Sequence, residues 1–189
     1  MTEEANQWEL LRTGETRALE YLYKEHIDGL YQYGIVLCGD ADKVKNSIHD
    51  LFITIWQGRE RLAMPDSVKA YLLVSLRRKL FDKGSRIETL TEAKESFDEL
   101  NISTEPHDAH WVRLEDENAE QAKLEKAMSR LSERQREIIH MKYFQELEYE
   151  EIGRIMDLNY QSARNLVTRA LTVLRKEMLL TVIILLMSL

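Results

Sequence analysis

Apolar side chains recur at steps of three and four along most of the chain, the spacing that gives an α-helix one buried face. Over residues 16–33 the stripe is Ala18, Leu19, Leu22, Tyr23, His26, Leu30 and Tyr33. A Gly39–Asp42 turn follows, where Asp40 or Asp42 is placed to cap the next helix. That second helix runs to about Arg61, with Val44, Ile48, Leu51, Phe52, Ile55 and Trp56 on one side. Pro65 and Asp66 break the pattern, and Asp66 or Ser67 starts a third helix over 67–83. Its predicted buried stripe is Val68, Tyr71, Leu72, Leu76, Leu80 and Phe81.

From Ser85 to about Ala122 the periodicity fades, leaving a linker with room for a short helix near Glu92 to Leu100. It then restarts with Leu124, Ala127, Met128 and Leu131. Ser132 with Gln135 three residues later forms a capping-box signature, and a helix follows through Ile138, Ile139, Met141 and Lys142. A short helix over 149–156 turns Ile152, Ile155 and Met156 inward. The three residues Asp157, Leu158 and Asn159 make a turn, and a longer helix begins at Tyr160. Short helix, tight turn and longer helix together read as a helix-turn-helix, with the small Gly153 where the two helices cross closely.

The last of these helices has two unlike faces. Ala163, Leu166, Val167, Ala170, Leu171 and Leu174 form the apolar stripe. Gln161, Arg164, Asn165, Thr168, Arg169, Thr172 and Arg175 fall on the other side, and this outer face carries no carboxylate. Guanidinium groups pair with guanine, side-chain amides with adenine, and both bond phosphate. A solvated basic face is the competing reading of this helix taken alone. A second basic cluster closes the third helix: Arg77, Arg78, Lys79 and Lys83, beside Tyr71 and Phe81. Cations track a phosphate backbone and aromatic rings stack on unpaired bases. An ordinary amphipathic helix with cations at its C-terminal end competes with that reading too.

Composition narrows the fold to all-α. Seven Gly, two Pro and a preponderance of Leu, Glu, Lys, Arg, Ala, Met and Gln favour helices throughout. The net charge of −7 speaks against a nucleic-acid binder until it is divided. Residues 85–122 hold 11 acidic and 3 basic side chains, whereas residues 123–189 hold 11 basic and 9 acidic. The acidity therefore sits in the linker. The expected organisation is two small helical domains, 1–84 and 123–178, joined by an acidic linker, 85–122, and followed by an apolar tail, 179–189.

Other chemistry finds little support. Cys38 is the single cysteine, which fits a reducing compartment and an apolar filler better than a redox sensor. His107, Asp108 and His110 lack a fourth ligand, so no metal is expected. No phosphate-binding glycine loop or nucleophile elbow occurs, and neither an enzyme, a cofactor nor a small-molecule substrate is expected. The acidic N-terminus does not read as a signal peptide. The apolar run from Met178 to Leu189 is shorter than the roughly 20 residues that span a bilayer, and is expected to extend the last helix and pack on its domain or a partner.

Two basic surfaces flanking an acidic linker, in this order, resemble a bacterial RNA polymerase sigma factor of the extracytoplasmic-function group. The resemblance covers residues 10–85 and 123–178. DADKVKNSIHDLFITIW resembles the region 2 helix that grips the polymerase clamp, which implies core polymerase contacts from Asp42, Asp50, Phe52 and Trp56. Lys45 and Asn46 stand where that helix usually carries an acidic pair. VKAYLLVSLRRKLFDK resembles the segment that opens and reads the −10 element, which implies roles there for Tyr71, Arg77, Arg78, Lys79 and Lys83. Arg78 occupies the place often held by an Asn that captures a flipped base. LSERQREIIHMKYFQELEYEEIGRIMDLNYQSARNLVTRAL resembles region 4, which reads the −35 element. That implies DNA contacts from Gln161, Ser162, Arg164, Asn165, Thr168 and Arg169. YQSARNLVTRAL is especially similar to the recognition helix of the branch common in Bacteroidetes, and Glu148 replaces the usual capping Ser.

The implied activity is promoter recognition, DNA opening and transcription initiation with core RNA polymerase, in the cytoplasm. The implied partners are core RNA polymerase, promoter DNA and an anti-sigma factor, commonly membrane-bound. A stand-alone helix-turn-helix regulator is the alternative, but it leaves residues 10–85 without a role.

Overall fold

In the computed structural model the described residues are 2–81 and 127–187, with side chains described as far as residue 177. Every regular element among them is a helix. The chain divides into two compact units, Met1–Thr104 and Glu105–Leu189. The expected linker over 85–122, its short helix and the His107–His110 group lie outside the described residues.

Among its described residues the first unit holds four α-helices, α1 (Glu3–Arg12), α2 (Thr16–Cys38), α3 (Ala41–Gly58) and α4 (Val68–Phe81), with a 3-10 turn over Arg59–Arg61 after α3. α2 to α4 are the helices the periodicity predicts. α2 ends on Gly39, whose φ of 68° supplies the left-handed cap that a side chain would resist. Asp40, not Asp42, caps α3, its carboxylate accepting from the Lys43 amide at 3.0 Å. Ser67 rather than Asp66 caps α4, its hydroxyl accepting from the Ala70 amide at 3.2 Å.

α1 is an element that the pattern of stripes did not predict. Thr2 caps it, with Oγ1 accepting from the Ala5 amide at 3.4 Å, and Trp8 and Leu11 are its two buried anchors. The Trp8 indole N–H donates to the Ala63 carbonyl at 3.1 Å, and its ring meets Tyr71 edge-on at 5.2 Å. One side chain thus ties α1 to α4 and to the segment that precedes it. α2 and α3 cross closely at Gly34, where an added Cβ would lie 2.5 Å from the buried Val44 side chain.

The stripe on α4 also differs from expectation. Val68, Leu72, Leu76 and Leu80 are buried as predicted, together with Ala70 and Leu73. Phe81, by contrast, is 51% exposed. It sits at the last helical residue and turns away from the core that Leu80 enters.

The second unit is built from α5 (Glu133–Tyr143), α6 (Tyr149–Met156) and α7 (Tyr160–Met187). The capping box forms at α5: Ser132 Oγ accepts from the Gln135 amide at 3.3 Å, and Gln135 Oε1 accepts from the Ser132 amide at 3.0 Å. Between α5 and α6, the Gln145 side chain meets His140 Nε2 at 3.1 Å, and Lys142 Nζ donates to the Leu147 carbonyl at 3.0 Å. Both contacts pin a turn that passes through Glu146 at φ 55°. α7 carries through the apolar stretch as an unbroken helix to Met187. No helix among the described residues is long and apolar enough to cross a membrane.

Candidate nucleic-acid interface

The helix-turn-helix is set by three residues. Asp157 takes the left-handed conformation, φ 55° and ψ 55°, that ends α6. The Leu158 amide then donates to the Gly153 carbonyl at 2.8 Å. A Cβ on Gly153 would lie 2.6 Å from the Leu158 carbonyl oxygen, so the glycine makes room for the turn's own backbone rather than for a crossing helix. Asn159 caps α7, with Oδ1 accepting from the Ser162 amide at 2.8 Å. At the start of α6 the Glu148 amide donates to Glu151 at 2.9 Å, while the Glu148 carboxylate reaches Lys142 at 3.4 Å. A carboxylate at either place suits a helix N-terminus.

This turn aims the first three turns of α7 outward. Ala163, Val167 and Ala170 are buried, whereas Gln161, Arg164, Asn165, Thr168 and Arg169 are exposed and Ser162 is half-buried. The six candidate residues therefore share one continuous surface. Leu171, expected inside, is 37% exposed. Gln161 Nε2 donates to Asn165 Oδ1 at 3.1 Å, and Thr168 Oγ1 donates to the Arg164 carbonyl at 3.0 Å. The amide pair is thus held in a fixed relation one turn apart, which suits reading an edge of fixed geometry.

Arg134 joins this surface from outside α7. It stands in the first turn of α5, and its guanidinium donates to the Met156 carbonyl at 3.3 Å. Together with Leu158, Ser162, Asn165, Leu166 and Arg169 it lines a cleft of about 240 Å³. Nothing in the local sequence around Arg134 signals this, since the cleft exists only when α5 packs beside α7.

In the first unit the basic cluster on α4 divides into two lines. Arg78 is exposed and stands seven residues, two helical turns, beyond the half-buried Tyr71. Arg77 lies over the Phe81 ring at 5.6 Å, a cation–π contact between residues four apart. Lys79 is half-buried, and Lys83 lies outside the described residues. Tyr71 is engaged with Trp8, so Phe81 is the aromatic with the more open face.

The candidate polymerase contacts on α3 occupy different environments. Asp42 is exposed in the first turn of α3, and Asp50 is half-buried. Trp56 is half-buried with the Arg59 guanidinium 4.4 Å from its ring centre. Phe52 is 1% exposed and meets Tyr23 edge-on at 5.0 Å. Its ring belongs to the core and offers a partner no surface; burial follows from its place in the same stripe as Ile48, Leu51 and Ile55.

Residues 121–174 match the family model described as sigma-70, region 4, a span that contains α5, α6 and the outward face of α7. No curated protein sequence matches the chain. Among solved structures, CnrH in complex with the cytosolic domain of CnrY superposes with a TM-score of 0.62 at 16% identity, over 92% of this chain and 95% of that one. The sigma factor RpoE from Bartonella quintana, solved with the anti-sigma factor NepR, gives a TM-score of 0.55 at 20% identity, over 82% of this chain and 94% of that one. At these identities the likeness is one of fold.

Proposed function

We propose that the chain is a sigma factor of the extracytoplasmic-function group, because residues 121–174 match the family model for sigma-70, region 4. In this reading it binds core RNA polymerase, directs it to promoters and takes part in opening the DNA. The observation that carries the reading is a coincidence of position. The matched span is the helix-turn-helix with an acid-free outer face, and the fold shared with a sigma factor continues through the rest of the chain. A stand-alone regulator needs only the second unit and leaves α1–α4 unexplained.

α7 enters the major groove of the −35 element, with Arg164, Asn165, Gln161 and Arg169 at base edges and phosphates. Each good bidentate pair discriminates by about 1–3 kcal/mol. Arg78 and Lys79, with Arg77 and Phe81 beside them, meet the unpaired −10 strand. Stacking and phosphate contacts there offset the few kcal/mol that unstacking a base costs. Asp42, Asp50 and Trp56 present the polymerase-facing side of α3, and Phe52 holds that helix in place from within the core. The protein works in the cytoplasm without catalytic chemistry of its own, and an anti-sigma factor restrains it. The similarity of YQSARNLVTRAL to the recognition helix common in Bacteroidetes supports placing it in that branch.

Transcription with core polymerase on a promoter fragment separates the two ends. Arg164→Ala weakens binding to the closed duplex by about 1–3 kcal/mol. Arg78→Ala leaves duplex binding intact and slows opening, read by permanganate reactivity of unpaired thymines. If both variants choose the same start sites at wild-type rates, these residue roles are wrong.

A further inference from the structure

The outer face of α7 has a neutral centre and charged margins. Gln161, Asn165, Thr168 and Thr172 follow one another at steps of four, three and four, and so run as one strip along the helix. Arg164 borders that strip on one side and Arg169 on the other. Within the strip the hydroxyl hydrogens are spent on the helix itself. Thr168 Oγ1 donates to the Arg164 carbonyl at 3.0 Å, and Thr172 Oγ1 donates to the Thr168 carbonyl at 2.8 Å. The amides of Gln161 and Asn165 are left as the donors of the strip, and they act on each other first. Gln161 Nε2 donates to Asn165 Oδ1 at 3.1 Å, which turns the Asn165 oxygen toward Gln161. The pair then offers a groove one acceptor, Gln161 Oε1, and one donor, Asn165 Nδ2. Both residues are exposed in the first two turns of α7, the part of a recognition helix that meets base edges. In the major groove adenine shows an acceptor, N7, beside a donor, N6, whereas guanine shows two acceptors.

We propose that Gln161 and Asn165 read a single adenine of the −35 element as one unit, Asn165 Nδ2 donating to N7 and Gln161 Oε1 accepting from N6. The proposal rests on the sigma-factor reading and deepens it by naming the base. Asn165 supplies the donor that seeks N7, and Gln161 supplies the acceptor that separates adenine from guanine. Guanine is rejected because its O6 would face Gln161 Oε1, two acceptors with no proton between them.

The test uses holoenzyme assembled from the full chain and core RNA polymerase, on a promoter duplex that supports run-off transcription. Each −35 position carries each of the four base pairs in turn, and duplex affinity is measured. One position should prefer adenine over guanine by about 5- to 150-fold in the wild type, the range for a bidentate contact. 7-Deazaadenine at that position, which lacks the N7 acceptor, should weaken wild-type binding. Gln161→Ala should no longer distinguish adenine from guanine there, yet should still respond to 7-deazaadenine, because Asn165 still reaches N7. Asn165→Ala should lose the response to 7-deazaadenine at the same position.

An adenine-over-guanine preference that persists in Gln161→Ala overturns the shared reading, because Asn165 would then read the base alone. Losses at two different positions, one for each variant, overturn it as well. So does undiminished wild-type binding to 7-deazaadenine at every −35 position. A wild-type holoenzyme that transcribes from defined start sites but prefers adenine nowhere in the −35 element refutes the adenine assignment and leaves the sigma-factor reading standing. If the holoenzyme yields no promoter-specific transcripts, the sigma-factor reading itself fails, and the assignment with it.

Discussion

At Gly153 a single hydrogen atom decides whether the recognition helix is aimed. Its missing Cβ leaves room for the Leu158 carbonyl, and that oxygen belongs to the backbone, so it cannot swing aside as a side chain would. Gly153→Ala should destabilise the second unit by about 1–3 kcal/mol, the usual cost of overpacking. Because the strain falls on the turn, DNA binding should suffer more than the unit's melting temperature. Equal stability and equal duplex affinity in the alanine variant would show that the turn has slack. The sequence locates this glycine but not its neighbour: a helix crossing was expected, and the contact is the turn itself. Phe52 and Phe81 teach the complementary lesson. Both fit a helical stripe, yet one is sealed in the core and the other lies at a helix end with half its surface open. Stripe membership fixes a direction around the helix, whereas burial depends on what lies opposite.

Among the elements, α1 shows where periodicity fails. Ten residues with only two buried anchors make too weak a stripe to stand out from an acidic terminus. What makes α1 part of the unit is tertiary: Trp8 reaches the Ala63 carbonyl and Tyr71, 55 residues and more along the chain. Trp8→Ala should cost about 3–5 kcal/mol, as for other buried aromatics, and should loosen α1 and α4 together in hydrogen exchange. Loosening of α1 alone would contradict that coupling. α1 also sets a pH response. His26 of α2 is 7% exposed with Nε2 3.4 Å from Glu4 of α1. Burial holds its pKa below the ordinary value; the Glu4 and Glu25 carboxylates oppose that effect and Lys69 of α4 adds to it. The neutral ring is thus favoured in the folded state, and the unfolded chain binds the proton more readily. This contribution to stability is present above about pH 6.5 and is lost as pH falls from there through the depressed folded pKa. Protection of the α2 amides, corrected for the intrinsic exchange rate, should fall over that window in the wild type and fall less in His26→Gln. The same pH dependence in both proteins would rule out His26 as its source.

For the molecule as a whole, the order of helices and the helix-turn-helix were legible because each rests on local signals: stripes, caps and a turn of three residues. The all-α fold, and the likeness of the chain to sigma factors, were legible for the same reason. Arg134 was not. It lies 24 residues before Leu158 and 35 before Arg169, and only the packing of α5 against α7 brings it to their side. The division of the α4 cluster into an Arg78 line and an Arg77–Phe81 line was also hidden, because it depends on Trp8 having already claimed Tyr71. The proposed function needs both units, one for each basic surface, acting on a single polymerase. Run-off transcription with purified chain and core RNA polymerase, followed by sequencing of the transcripts, tests that claim most directly. The account predicts that adding the chain yields transcripts from a small set of start sites, each preceded by a common pair of sequence elements. Tight binding to duplex DNA by the chain alone, with no specific transcripts when polymerase is supplied, would contradict it.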